Sequence, residues 1–64
     1  MGENWTGDLI GRMHNQRITI SDLAAELGVT KAYVSMILNG YRRPKDAQQR
    51  LESAFDAILE RKEA

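Results

Sequence analysis

Gly28 stands between two short apolar-patterned stretches, and only Gly28, Val29 and Thr30 separate them. In the first stretch Leu23, Ala24 and Leu27 recur at helical spacing, and in the second Val34, Ile37 and Leu38 do the same. Glycine accepts the left-handed backbone that ends a helix without a side-chain penalty. A link of three or four residues opened by such a glycine holds one helix steeply across another and lets the second project. Counted from Ile20, the small Ala24 comes four residues later, where the crossing helix needs room. Val29, Val34 and Ile37 then fill the wedge between the two helices.

The ends of these helices are written locally. Thr19 followed three residues later by Asp22 is a variant of the capping box, so one helix is expected over about residues 20 to 27. Thr30 can cap the next through its hydroxyl, and Asn39-Gly40 stops it, giving about 31 to 39. Asn-Gly is also a hairpin signal, but the flanking apolar residues repeat with a period near 3.6 rather than 2. Upstream, Trp5, Leu9, Ile10 and Met13 predict a first helix over about 5 to 15 with one apolar face, capped by Asn4 or Thr6. Gly7 and Gly11 fall inside it and each costs about 1 kcal/mol relative to Ala. They are expected either to admit a neighbouring helix or to leave the segment frayed. Downstream, Ala47, Leu51, Ala54, Phe55, Ile58 and Leu59 predict a last helix of about 17 residues beginning near Lys45. The expected fold is all-α, with four helices, or five if the last segment divides, and no sheet despite the β-branched Ile18-Thr19-Ile20.

Sixty-four residues suffice for one core, so residues 1 to 64 are read as a single domain. With no cysteine there is neither a disulfide nor a thiolate metal site, and helix packing, aided by oligomerisation, must supply the stability. No apolar run approaches the roughly 18 residues that span a bilayer, and no basic stretch leads into an apolar segment, so a cytoplasmic location is expected. Met1-Gly2 with Thr6 meets the loose myristoylation pattern, but no basic cluster adjoins to give a second membrane signal. Nine basic residues balance nine acidic ones. Their distribution is uneven: Lys31, Arg42, Arg43, Lys45 and Arg50 face only Asp46 within residues 31 to 50, a local excess of four positive charges. The remainder carries the matching negative excess, and a positive stretch of this kind suits a phosphate-bearing partner.

The stretch ITISDLAAELGVTKAYVSMILNGYRRP resembles the DNA-binding helix-turn-helix of the Cro and phage-repressor class of bacterial regulators. The small residue, the glycine, the aliphatic positions and the NG-x-R-x-P ending all match, over about residues 18 to 45. The resemblance implies that the helix at about 31 to 39 lies in the major groove while neighbouring ends hold phosphates. Carried onto this chain, it implies base reading by Lys31, Ala32, Ser35, Met36 and Asn39. Phosphate binding falls to Thr30, Tyr33, Tyr41, Arg42, Arg43 and Lys45. The side-chain chemistry agrees: Lys31 can donate to guanine, Ser35 to several bases, Asn39 to adenine, and Ala32 and Met36 can meet a thymine methyl. Guanidinium groups at Arg42 and Arg43 suit two hydrogen bonds to one phosphate. The sequence departs from the class at Ile20, where members often carry Gln, at Met36 where many are polar, and at Leu38 where Glu is common.

No nucleophile with a spaced histidine, ligand cluster or phosphate-cradling glycine loop is present, so neither an enzyme nor a metal or cofactor site is expected. His14 is alone at the edge of the first helix, and Glu52, Asp56 and Glu60 form an acidic ridge read as a solvated face. The expected partners are double-stranded DNA and a second copy of the chain, with no membrane and no small-molecule ligand. The competing class is a small helical protein-interaction module, antitoxin-like or adaptor, that keeps the fold without reading DNA.

Overall fold

Local signals place the helix boundaries almost where the periodicity puts them. The computed structural model describes residues 4–63, which form α1 (Asn4–Gln16), α2 (Ile20–Leu27), α3 (Lys31–Leu38) and α4 (Ala47–Glu63), with no strand among the described residues. Met1 and Gly2 lie outside them. α4 is one unbroken helix. The β-branched run is absorbed into a helix start: Ile18 is buried, Thr19 caps and Ile20 is the first helical residue.

The capping box at Thr19 is complete. The Asp22 amide donates to Thr19 Oγ1 at 3.2 Å and the Thr19 amide donates to Asp22 Oδ2 at 2.9 Å. That backbone hydrogen bond outweighs the opposing effect of desolvation and, with lesser help from the Thr19 hydroxyl and the charge of Lys62, holds the Asp22 carboxyl below its ordinary value of 3.8. Because the folded-state pKa is the lower one, the stabilisation is fully present above the unfolded value and is lost as pH falls through the folded one. Asp22→Asn should therefore flatten the acid limb of a stability-against-pH curve below about pH 4, measured by urea unfolding. An acid limb identical to the parent's would remove Asp22 from this role.

Three helices end in the same way. After α2, the Val29 amide donates to Ala24 O at 3.0 Å and the Gly28 amide to Ala25 O at 3.3 Å. After α3, Tyr41 donates to Met36 O at 2.8 Å and Gly40 to Ile37 O at 3.1 Å. These pairs are Schellman motifs, which need a left-handed residue, here Gly28 at φ 72° and Gly40 at φ 83°. α1 closes identically, with Ile18 donating to Met13 O at 2.9 Å and Arg17 to His14 O at 3.2 Å. Its left-handed residue is Arg17 at φ 58°, a conformation that a side chain resists.

Each helix contributes one essentially inaccessible side chain to a common core: Leu9, Leu23, Val34 and Leu51. Each such burial is worth about 1.5–3 kcal/mol. α2 packs on both α3 and α4, and α1 packs on α4 and α3. Arg12 of α1 lies over the Phe55 ring, 5.3 Å from its centroid, and its Nη2 is 3.5 Å from Glu52 Oε2. At the far end of α4, Arg61 Nη2 is 2.6 Å from Glu26 Oε1 and Lys62 Nζ donates to Gln16 O at 2.7 Å. These surface contacts fix register more than they stabilise.

α1 departs from the expected stripe. Ile10 is 44% exposed, and Thr6 is buried in its stead beside Leu9 and Met13. The buried line runs through positions 6, 9 and 13, so it keeps the expected centre at Leu9 and Met13 but is narrower, with Trp5 half-buried at one edge and Ile10 left out at the other. Asn4 is the first described helical residue and Thr6 lies inside the helix, so neither precedes it as a cap. Gly7 and Gly11 admit no neighbour, since a methyl group at either meets nothing within 4 Å. Gly11→Ala should accordingly stabilise by about 0.5–1 kcal/mol. Gly28 faces equally open space, yet its φ of 72° makes Gly28→Val destabilising by about 1–3 kcal/mol. Thermal unfolding of the two variants should move in opposite directions; equal shifts would contradict this backbone assignment.

Candidate nucleic-acid interface

α3 has two unlike faces. Val34, Ile37 and Leu38 point inward at 7% exposure or less. Lys31, Ala32, Ser35, Met36 and Asn39, at offsets of one, three, one and three residues, share the opposite side. Lys31, Ala32 and Asn39 are exposed, whereas Ser35 and Met36 are half-buried at the edges of that face. Because α3 packs chiefly on α2 and α1, this outward side is left open.

Polar groups on the outward face are oriented by one another. The helix ends at Leu38, and Asn39 is its cap. The Asn39 amide nitrogen donates to Ser35 O at 2.9 Å and to Ser35 Oγ at 3.1 Å. Ser35 Oγ thus accepts from within the protein and keeps its proton for an outside acceptor, while Asn39 presents its carbonyl oxygen. At the other end, Thr30 Oγ1 accepts the Tyr33 amide at 3.1 Å, which satisfies a helix-end donor and leaves the hydroxyl proton available.

The phosphate candidates divide by burial. Tyr41 is 81% exposed, and Arg42, Arg43 and Lys45 are exposed in the loop that joins α3 to α4. The Tyr41 and Arg42 amides both donate to Met36 O, at 2.8 and 3.2 Å, so the start of this loop is tied to α3. Tyr33 is different: it is half-buried and packs against the core beside Leu27, Ile37 and Leu51.

Charge pairing sorts the cations. Arg12, Arg61 and Lys62 are engaged with Asp8 and Glu52, with Glu26, and with the Gln16 carbonyl respectively. Among the described residues, Lys31, Arg42, Lys45 and Arg50 make no ion pair. The segment with the positive excess therefore keeps most of its charge for an outside partner. The acidic ridge of α4 is partly consumed, since Glu52 faces Arg12 and accepts from Gln48 Nε2 at 3.3 Å. No group of acidic and histidine side chains suited to a metal occurs among the described residues, and no helix there is long and apolar enough to cross a membrane.

One neighbour of the loop escaped sequence reading. Trp5 of α1 lines an open cleft of about 250 Å³ with Ile37, Arg42, Arg43, Pro44 and Lys45. Nothing in the spacing of Trp5 signals this, because the proximity spans more than thirty residues of chain.

A helix held by its inner face across a capped three-residue turn, with its outer face open and cations beside it, defines the helix-turn-helix class of DNA-binding proteins. The helix-turn-helix family of the Cro and phage-repressor type matches residues 12–48, and the chain belongs to that family. Its function is accordingly of the DNA-binding, transcription-regulator kind. No curated protein and no solved structure gave a significant match.

Proposed function

We propose that residues 1–64 act as one domain that binds a specific double-stranded DNA site in the cytoplasm as a homodimer, in the manner of a bacterial or prophage repressor. α3 with its cap, residues 31–39, enters the major groove. Lys31, Ala32, Ser35, Met36 and Asn39 read base edges there. Thr30, Tyr41, Arg42, Arg43 and Lys45 hold phosphates, with Tyr33 contributing through its hydroxyl edge. The supporting observation is the coincidence of the open face of α3 with Lys31, Arg42 and Lys45, which make no ion pair among the described residues.

Selection from a random duplex pool, followed by footprinting and sedimentation of the complex, tests this reading. The expected result is a preferred site with two-fold symmetry, half-sites about 10 base pairs apart and two chains bound. Binding should weaken as salt rises. Failure to bind any duplex in low salt would overturn the proposal and leave the protein-interaction module in its place.

A further inference from the structure

The cleft beside Trp5 lies outside the face of α3 assigned to base reading. Of its lining, Arg42, Arg43 and Lys45 are cationic, and none of the described residues that line it is acidic. Arg42 and Lys45 make no ion pair among the described residues. Trp5 is half-buried and adds an indole N–H donor, while Ile37 and Pro44 supply an apolar wall. A cleft of about 250 Å³ is below the roughly 300–1,000 Å³ of pockets that enclose drug-sized ligands. It suits a phosphate ester with its sugar.

We infer that this cleft is a phosphate site in its own right, in which Trp5 of α1 joins Arg42 and Lys45 of the α3–α4 loop around a backbone phosphate of bound DNA. The inference rests on the DNA-binding reading above and extends it to α1. Contact with both α1 and the loop clamps the strand between two elements, so the grip depends on the packing of α1 and not on loop cations alone. The indole N–H approaches the phosphate oxygen while the ring covers the sugar. No base edge is involved, so the contact is blind to sequence.

Trp5 is the sole tryptophan, so its emission reports on the cleft without labelling. The full chain is titrated with the selected duplex, while binding is followed separately by anisotropy of end-labelled DNA. Trp5 emission should change in step with anisotropy, and both changes should disappear as salt is raised. Inorganic phosphate and adenosine monophosphate, at millimolar concentration, should leave the emission unaltered. Trp5→Phe should weaken all duplexes about threefold to tenfold, through loss of one donor, with base preference and salt slope intact. Arg42→Ala should make that slope shallower by about one. Saturating anisotropy with unchanged emission would overturn the cleft assignment and leave the DNA-binding reading standing. Absence of both signals would sink the two together. An emission change with adenosine monophosphate and none with duplex would also overturn it, by showing a site for a small phosphate ester.

Discussion

Leu51→Ala is expected to leave much of the chain unfolded at room temperature. Leu51 is 1% exposed in the middle of the core, and α4, which carries it, packs on both α2 and α1. Truncating a buried leucine costs about 2–5 kcal/mol once the residual cavity is included. A chain of this length holds about 3–10 kcal/mol in total, at roughly 0.05–0.15 kcal/mol per residue. Helical circular dichroism against urea should show the midpoint falling steeply or the folded baseline vanishing. Ile10→Ala is the comparison, since a side chain 44% exposed should shift stability by no more than about 0.5 kcal/mol. If the two variants unfold together, the core has been placed on the wrong faces.

The second large effect separates phosphate from base contacts. Arg42→Ala combined with Arg43→Ala should lower affinity for every duplex and make the plot of log affinity against log salt shallower by about two. Ser35→Ala and Lys31→Ala should each cost about 1–3 kcal/mol on the preferred site and much less on random DNA, with Lys31→Ala also reducing the salt slope. The bond from Asn39 to Ser35 Oγ sharpens the expectation for Ser35. With its oxygen already accepting from Asn39, the Ser35 hydroxyl should act as a donor and favour an acceptor such as guanine O6, purine N7 or thymine O4 over the exocyclic amine of cytosine. Salt titrations of each variant on both duplexes decide the matter. A change of base preference in the arginine variant, with none in the helix variants, would invert the assignment of roles.

Much of this molecule was legible because helix signals act over one turn. Thr19 with Asp22, Thr30, Gly28 and Gly40 each bond within three to five residues, so residue type and spacing reveal them without knowledge of the fold. The face of α3 followed from the same logic, because Val34, Ile37 and Leu38 cannot be inside without putting Lys31, Ala32 and Ser35 outside. Membership in a DNA-binding family was visible for that reason too, since its signature is the joint spacing of a small residue, a glycine and aliphatics.

Where several residues suit one position, only packing chose among them. α1 carries Trp5, Leu9, Ile10 and Met13, and periodicity alone does not set how wide its buried stripe is; packing against α4 and α3 buries Leu9, Met13 and Thr6 and leaves Ile10 at the exposed edge. Arg17 takes the left-handed turn because burying Ile18 requires the chain to double back there, and the side chain itself gives no sign of it. Which cations pair within the fold was likewise decided by tertiary structure. Arg12 meets Glu52 across forty residues and Arg61 meets Glu26 across thirty-five, and only when those pairs are in place do Lys31, Arg42 and Lys45 stand apart from them. The physical division is one of range: hydrogen bonds within a turn are determined by neighbours in sequence, whereas burial and ion pairing are determined by whichever element the folded chain brings alongside.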